Sequence, residues 1–316
     1  MSNTRPVIDV HHHITPPAWL EADDSPITAA FRGWSPQTSL DEMTLAGVDV
    51  AIGAVGGFHV ALLPRDTAVK VARQCNDYAA DLIVKHPKRF GAFGILPLPY
   101  IEDSVDEVDR ILDDTRLDGF ELLTSYYDKW LGHPDFAPVL ARLDERKAVV
   151  HVHPAAWDYK SKLLPEAPLT AMLALELGMD TARTIFSLIF SGKAARYPGI
   201  QWVFSHGGGT VVSLLERLEL QIPAIKPFGE GHDRASVQAA LRGFNYDTAQ
   251  VLSSDTIKYV LDYFPTSQLV FGTDSPFRSI AEHKQGLEAA STPPTTSAIA
   301  TDNAFRLFPR LQQVFA

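Results

Sequence analysis

The run Ile8-Asp9-Val10-His11-His12-His13 sets three imidazoles in a stretch of strand-forming sequence. Side chains alternate along a strand, so His11 and His13 share one face and His12 takes the other. Two imidazoles at i and i+2 near a strand end can both reach one cation, and imidazole suits Zn²⁺ and neighbouring first-row metals. Three more segments end in residues of similar chemistry. Val150-His151-Val152-His153-Pro154 again pairs two histidines on one face. His153, nearer the end of the run, is the better ligand; His151, one layer deeper, reads as a hydrogen-bonded core histidine. Phe204-Ser205-His206 runs into Gly207-Gly208-Gly209, which lets a ligand approach the backbone closely beside an imidazole. Leu269-Val270-Phe271-Gly272-Thr273-Asp274 ends in a carboxylate that is costly to bury without a cation. Together these segments nominate His11, His13, His153 and Asp274 as ligands of one divalent metal, zinc first and manganese as the alternative.

Something must bring these distant segments to one place. Apolar, β-branched runs occur at Val7–Ile14, Val48–Val55, Phe90–Leu96, Gly119–Leu123, Ala148–His153, Gln201–Ser205, Gly243–Asp247 and Gln268–Thr273. Amphipathic stretches lie between them, among them Thr67–Lys85, Ile101–Asp114, Phe136–Arg146, Val211–Gln221 and Ser254–Tyr263. Strand and helix alternating in this way point to a parallel sheet, and eight repeats point to an α/β fold closed as a (β/α)₈ TIM barrel. A doubly wound open sheet is the competing architecture. It carries a glycine-rich phosphate turn after its first strand, where this chain reads His-His-His-Ile-Thr-Pro. In a barrel the four candidate segments all end at the C-terminal mouth, where active sites sit. The chain reads as one domain over residues 1–316, with mouth insertions at about 15–39 and 154–179.

Bulk properties exclude several classes. A net charge of −10 disfavours nucleic acid and anionic membrane as partners. No apolar run reaches the length of a membrane-spanning helix, and Met1–Val7 resembles no signal peptide, so a cytoplasmic protein is expected. The one cysteine, Cys75, falls in a helical stretch and reads as an apolar filler.

The constellation resembles the amidohydrolase superfamily, and within it the branch of non-oxidative decarboxylases around aminocarboxymuconate semialdehyde decarboxylase. The resemblance rests on Ile8–Pro16, His153-Pro154, Ser205–Gly209 and Gly272–Phe277, and it spans nearly the whole chain. Leu122–Tyr126 followed by Lys129–Pro134 is similar to the subgroup that contains 6-methylsalicylate decarboxylases. The resemblance implies the same four metal ligands, with His206 as a catalytic residue beside the metal. His151 departs from it, standing where an apolar residue is expected. Binuclear members bridge two metals with a lysine at the end of the fourth strand; that position here is Thr124 and the nearest lysine is Lys129, so a single metal is expected.

Two reactions fit such a site. A hydrolase would activate water at the metal, with Asp274 or His206 as base, to cleave a lactone or amide. A decarboxylase would grip a small aromatic or unsaturated carboxylic acid of the 6-methylsalicylate type, with His206 or Asp274 protonating the carbon that loses CO₂. The decarboxylase leads; a metal-holding barrel without catalysis comes third. The decarboxylase needs an apolar wall, for which Trp19, Phe31, Trp34, Trp157 and Phe277 are candidates, and a cation for the carboxylate, for which Arg32 and Arg278 are candidates. His59 follows the second strand and could face the pocket, whereas His86, His133, His232 and His283 read as surface or loop residues. A homodimer is expected, two-fold pairs being the commonest assemblies.

Overall fold

A computed structural model describes residues 5–22, 28–29, 31–155, 166, 168–224 and 232–316 of the chain. Eight parallel strands follow one another around the central sheet: β1 (Ile8–His13), β2 (Val50–Ala54), β3 (Phe90–Ile95), β4 (Gly119–Leu123), β7 (Val149–His153), β8 (Gln201–Phe204), β9 (Asn245–Asp247) and β10 (Leu269–Val270). A short hairpin, β5 (Ser125–Tyr126) and β6 (Lys129–Trp130), follows β4. The sheet closes where the chain beyond β10 meets β1: Val10 N–H donates to Phe271 O at 2.8 Å, Asp274 N–H to His11 O at 2.8 Å and His13 N–H to Ser275 O at 2.7 Å. The fold is thus the expected (β/α)₈ barrel, each barrel strand being followed in the chain by at least one helix.

Closure explains one boundary that differs from expectation. The run Gln268–Thr273 is a regular strand only at Leu269–Val270, because the following residues leave the ladder to bond β1. The run at Gly243 starts as a strand only at Asn245, since Gly243 N–H still bonds the carbonyls of Ala239 and Ala240 at the end of the preceding helix. The expected loop 154–179 is partly helix. Pro168 opens a helix over Leu169–Phe190, whose leucines and alanines are strong helix formers. The hairpin docks on this helix. Thr124, Ser125 and Trp130 all donate to the buried Asp180, and a Cβ at Gly132 would lie 2.2 Å from Ser187 O.

Inside the barrel the strands form two storeys. At the N-terminal end, Ile8, Val10, Val50, Ile52, Phe93, Val149, Val203 and Val270 pack against Ala304, Leu307, Phe308 and Leu311 from the C-terminal helices. Along β1 simple alternation fails once. The register with β2 shifts between Asp9 and His12, so Val10 and His11 both turn inward while Asp9 and His12 turn out. This bulge lifts the strand from apolar floor to imidazole mouth. Asp9 fastens it by accepting from His11 N–H, Thr273 N–H and Thr273 Oγ1, and His12 Nε2 meets Ser39 Oγ of the covering helix at 2.7 Å.

Candidate metal centre and active site

Two strands, β1 and β7, and the segment that follows β10 deliver the four candidate ligands to one point. The donor atoms of His11, His13, His153 and Asp274 all lie within 4.8 Å of one another. Asp274 Oδ1 is 2.9 Å from His13 Nε2 and 3.4 Å from His11 Nε2. Ligands of a tetrahedral ion at ~2.1 Å are about 3.4 Å apart, so the spacing fits a cation. The tautomers fit as well. His11 Nδ1 bonds Asp247 Oδ2 at 2.8 Å, which leaves Nε2 buried with no hydrogen-bond partner among the described residues. His153 Nδ1 donates to Pro154 O at 2.9 Å, turning Nε2 inward. Two imidazole lone pairs and a carboxylate converging in a buried space want a positive ion.

The charges agree. Burial and the neighbouring His13 hold the His153 pKa well below the ordinary imidazole value, so it is a neutral donor. Burial would raise Asp274, but the adjacent imidazoles of His11, His13 and His206 hold it well below the usual carboxylate range. Burial opposes charge on His11 too, yet Asp247 and Asp274 outweigh it and raise its pKa well above normal. Without a metal, His11 therefore keeps a proton.

Behind the cluster lies a layer that the sequence reading missed. Asp247, the last residue of β9, accepts from His11, from His151 Nε2 at 3.0 Å and from the backbone N–H of His206 and Ala249. It thereby sets the His11 tautomer and the position of His206. The signal was available: Asp247 ends a strand-like run of the sequence, and Asp274 directly follows one. Glu121 of β4 accepts from Gly56 N–H at 2.8 Å and faces His151 Nδ1 at 3.5 Å. Burial opposes its ionisation, but His151 and the other imidazoles hold it at about 2. His151 is the hydrogen-bonded interior histidine expected, stacked on Phe93 at 5.3 Å. Its ring, Asp247 and His11 form a second close group, but their facing atoms are engaged with Asp247 Oδ2. Gly272 of the closing segment gives this layer room, for a Cβ there would lie 2.9 Å from that of His11 and 3.0 Å from that of Asp247.

The cluster opens on a cavity of about 440 Å³. Its walls are largely apolar: Ile14, Trp19, Phe31, Val55, Leu173, Leu177 and Phe277. Polar groups among the described lining residues are few, and include His206, Gln250, Arg278 and Thr15, whose buried Oγ1 has no hydrogen-bond partner. His206 Nε2 stands 3.5 Å from Asp274 Oδ2, on the cavity side of the carboxylate. Phe277 packs edge-on to His13 at 5.4 Å and to Phe31 at 4.5 Å.

Other expectations need correction. Arg32 is exposed and does not line the cavity: within one turn, Phe31 takes the inward place and its neighbour faces water, leaving Arg278 as the cation at the rim among the described residues. Trp34 turns its indole N–H to Ser39 Oγ and is absent from the lining. His283 is neither surface nor loop. It is buried on the helix Ile280–Ala290, where Nε2 accepts from Gln250 N–H at 2.9 Å. Trp157 and the side chain of His59 lie outside the described residues.

Comparison with known proteins places these features in context. The family described as Amidohydrolase matches residues 8–310. The chain is 30% identical to the decarboxylase yanB of Aspergillus niger, over 96% of this chain and 88% of that protein. It is also 30% identical to a 6-methylsalicylic acid decarboxylase of Penicillium expansum, over 97% of each chain. Among solved structures it resembles a dihydroxybenzoic acid decarboxylase from Polaromonas sp. JS666 with bound manganese and an inhibitor, with a TM-score of 0.85, 18% identity and 97% of each chain covered.

Proposed function

This chain belongs to the amidohydrolase family, and from that premise we propose that it is a metal-dependent carboxy-lyase acting on a small aromatic acid of the 6-methylsalicylate type. One conjunction carries the reading: a cation-demanding cluster and an acid–base pair open together on an apolar cavity. The named activities of the relatives at 30% identity support it. A bound divalent ion supplies a fixed positive charge for the carboxylate or a neighbouring ring oxygen of the substrate. His11, His13, His153 and Asp274 would hold it. Zinc suits a set rich in imidazole, with manganese, bound in the Polaromonas enzyme, as the alternative.

The remaining work falls to the chain's own side chains. Trp19, Phe31, Leu177 and Phe277 cover the ring and keep water from it, and Arg278 meets a carboxylate oxygen at the rim. His206 or Asp274 Oδ2 places a proton on the ring carbon that bears the carboxylate. The bond from that carbon to the carboxyl carbon then breaks, its electron pair restores the aromatic ring, and CO₂ departs. A general acid so placed contributes ~10²–10⁴-fold. The protein is taken to be a homodimer of the cytoplasm, in keeping with its acidic charge and its single buried thiol; light scattering at micromolar concentration tests the assembly.

The deciding experiment offers metal-analysed protein a panel of hydroxybenzoates, 6-methylsalicylate among them, and measures CO₂ release. Gas stoichiometric with loss of acid is expected. No gas from any member, with turnover of a lactone or amide instead, would establish the hydrolase.

A further inference from the structure

Three residues at the mouth carry left-handed backbone although none is glycine: His206 (φ 56°), Gln250 (φ 58°) and Asp274 (φ 63°). Such conformations are uncommon, and they persist where surrounding contacts enforce them. These three touch one another. Gln250 Nε2 donates to Asp274 Oδ2 at 2.5 Å and lies 3.4 Å from His206 Nε2. The enforcement comes from outside the cluster. His283 Nδ1 donates to Ser279 O at 2.8 Å, so its Nε2 is the acceptor that receives Gln250 N–H. A helix on the outside of the barrel thus reaches, through one buried imidazole, the residue that grips the Asp274 carboxylate.

That carboxylate has two jobs on opposite sides. Oδ1 faces His11 and His13, and Oδ2 faces Gln250, His206 and the cavity. A carboxyl group left to itself turns readily about its last torsion. We propose that Gln250 is a positioning residue for Asp274: held in its left-handed turn by His283, its amide pins Oδ2 on the cavity side, so one oxygen serves the cation cluster while the other serves the substrate. An amide suits the task because it donates a hydrogen bond without bringing a charge that would neutralise or repel the carboxylate. The proposal rests on Asp274 being both ligand and acid–base group.

The test uses Gln250→Gly, which deletes the amide and also relieves the left-handed backbone. The variant should match or exceed the parent in Tm and keep metal content and KM within about twofold. Its kcat should fall at least about tenfold, within the range of a misplaced acid–base group. Gln250→Asn, an amide that tolerates this backbone, should recover part of the loss. In cobalt-loaded protein the visible absorption should shift in the Gly variant as the carboxylate turns. If no aromatic acid loses CO₂ even with the parent, the cobalt spectrum still decides: a shift upholds the positioning role while the decarboxylase reading falls. Unchanged kcat with an unchanged spectrum would overturn the proposal. So would parallel loss of Tm and kcat in both variants, which would mark Gln250 as structural only.

Discussion

Along β7 the inward side chains change from Val149 to His151 to His153, and along β1 from Ile8 and Val10 to His11 and His13. The same strands therefore build two interiors. The lower one is apolar and needs only close packing. The upper one buries imidazoles and carboxylates whose desolvation is offset by mutual pairing and, at His11 Nε2, which has no hydrogen-bond partner among the described residues, would be offset by the cation proposed above. Stability should thus be concentrated below and chemistry above, and substitutions in the two storeys should separate the properties.

The largest effect belongs to His13→Ala, which should empty the metal site by elemental analysis and lower kcat at least about a thousandfold, to the level of the chelated parent; retained metal would break the division at its strongest point. Below, Phe308→Ala should cost ~3–5 kcal/mol in denaturant titration while leaving kcat of the folded fraction within about twofold. His206→Ala should lower kcat by ~10²–10⁴ with metal and Tm retained. Asp247→Asn should weaken metal binding ~10–100-fold by calorimetry, because it loosens the His11 tautomer. The proton His11 holds without metal must leave before the ligand set is complete. Metal affinity of the parent therefore rises with pH up to that raised pKa, and the Asn variant, with the proton held less tightly, should reach its plateau at lower pH. The smallest effect is that of Thr15→Val. Losing an unpartnered hydroxyl should leave Tm unchanged or slightly higher and raise KM only ~3–10-fold if a substrate oxygen uses that group.

What could be read in advance follows the same division. The barrel and its four converging strand ends were legible because continuous apolar runs, each finished by a polar residue, are local signals. The hidden features depend on contacts between distant segments. The bulge at Val10-His11 is set by Asp9 bonding Thr273 across the closing seam, so alternation alone paired His11 with His13 but gave no sign of the bulge beneath them. Gln250 shows no pattern in the chain, since its conformation is imposed by His283 from another helix. His283 looked like a surface residue, although Ile280 and Leu287, three before and four after it, mark the buried face of the helix that it shares. Leu122–Pro134 was recognised as a motif without a role; its contacts with Asp180 and Ser187 make it the dock for the helix that supplies Leu173 and Leu177 to the cavity wall.

The plug formed by Leu307, Phe308 and Leu311 carries a consequence for traffic. Beneath the cluster Phe93 lies flat against His151, and below them the barrel axis is filled with side chains. Among the described residues the barrel is a blind alley, so whatever enters must leave by the same doorway. For the aromatic acid proposed above, a released arene of nearly the substrate's size would have to back out past Phe277 before the next acid could advance. On that reading departure, rather than bond breaking, becomes a natural bottleneck, and the arene should act as a competitive inhibitor of its own formation.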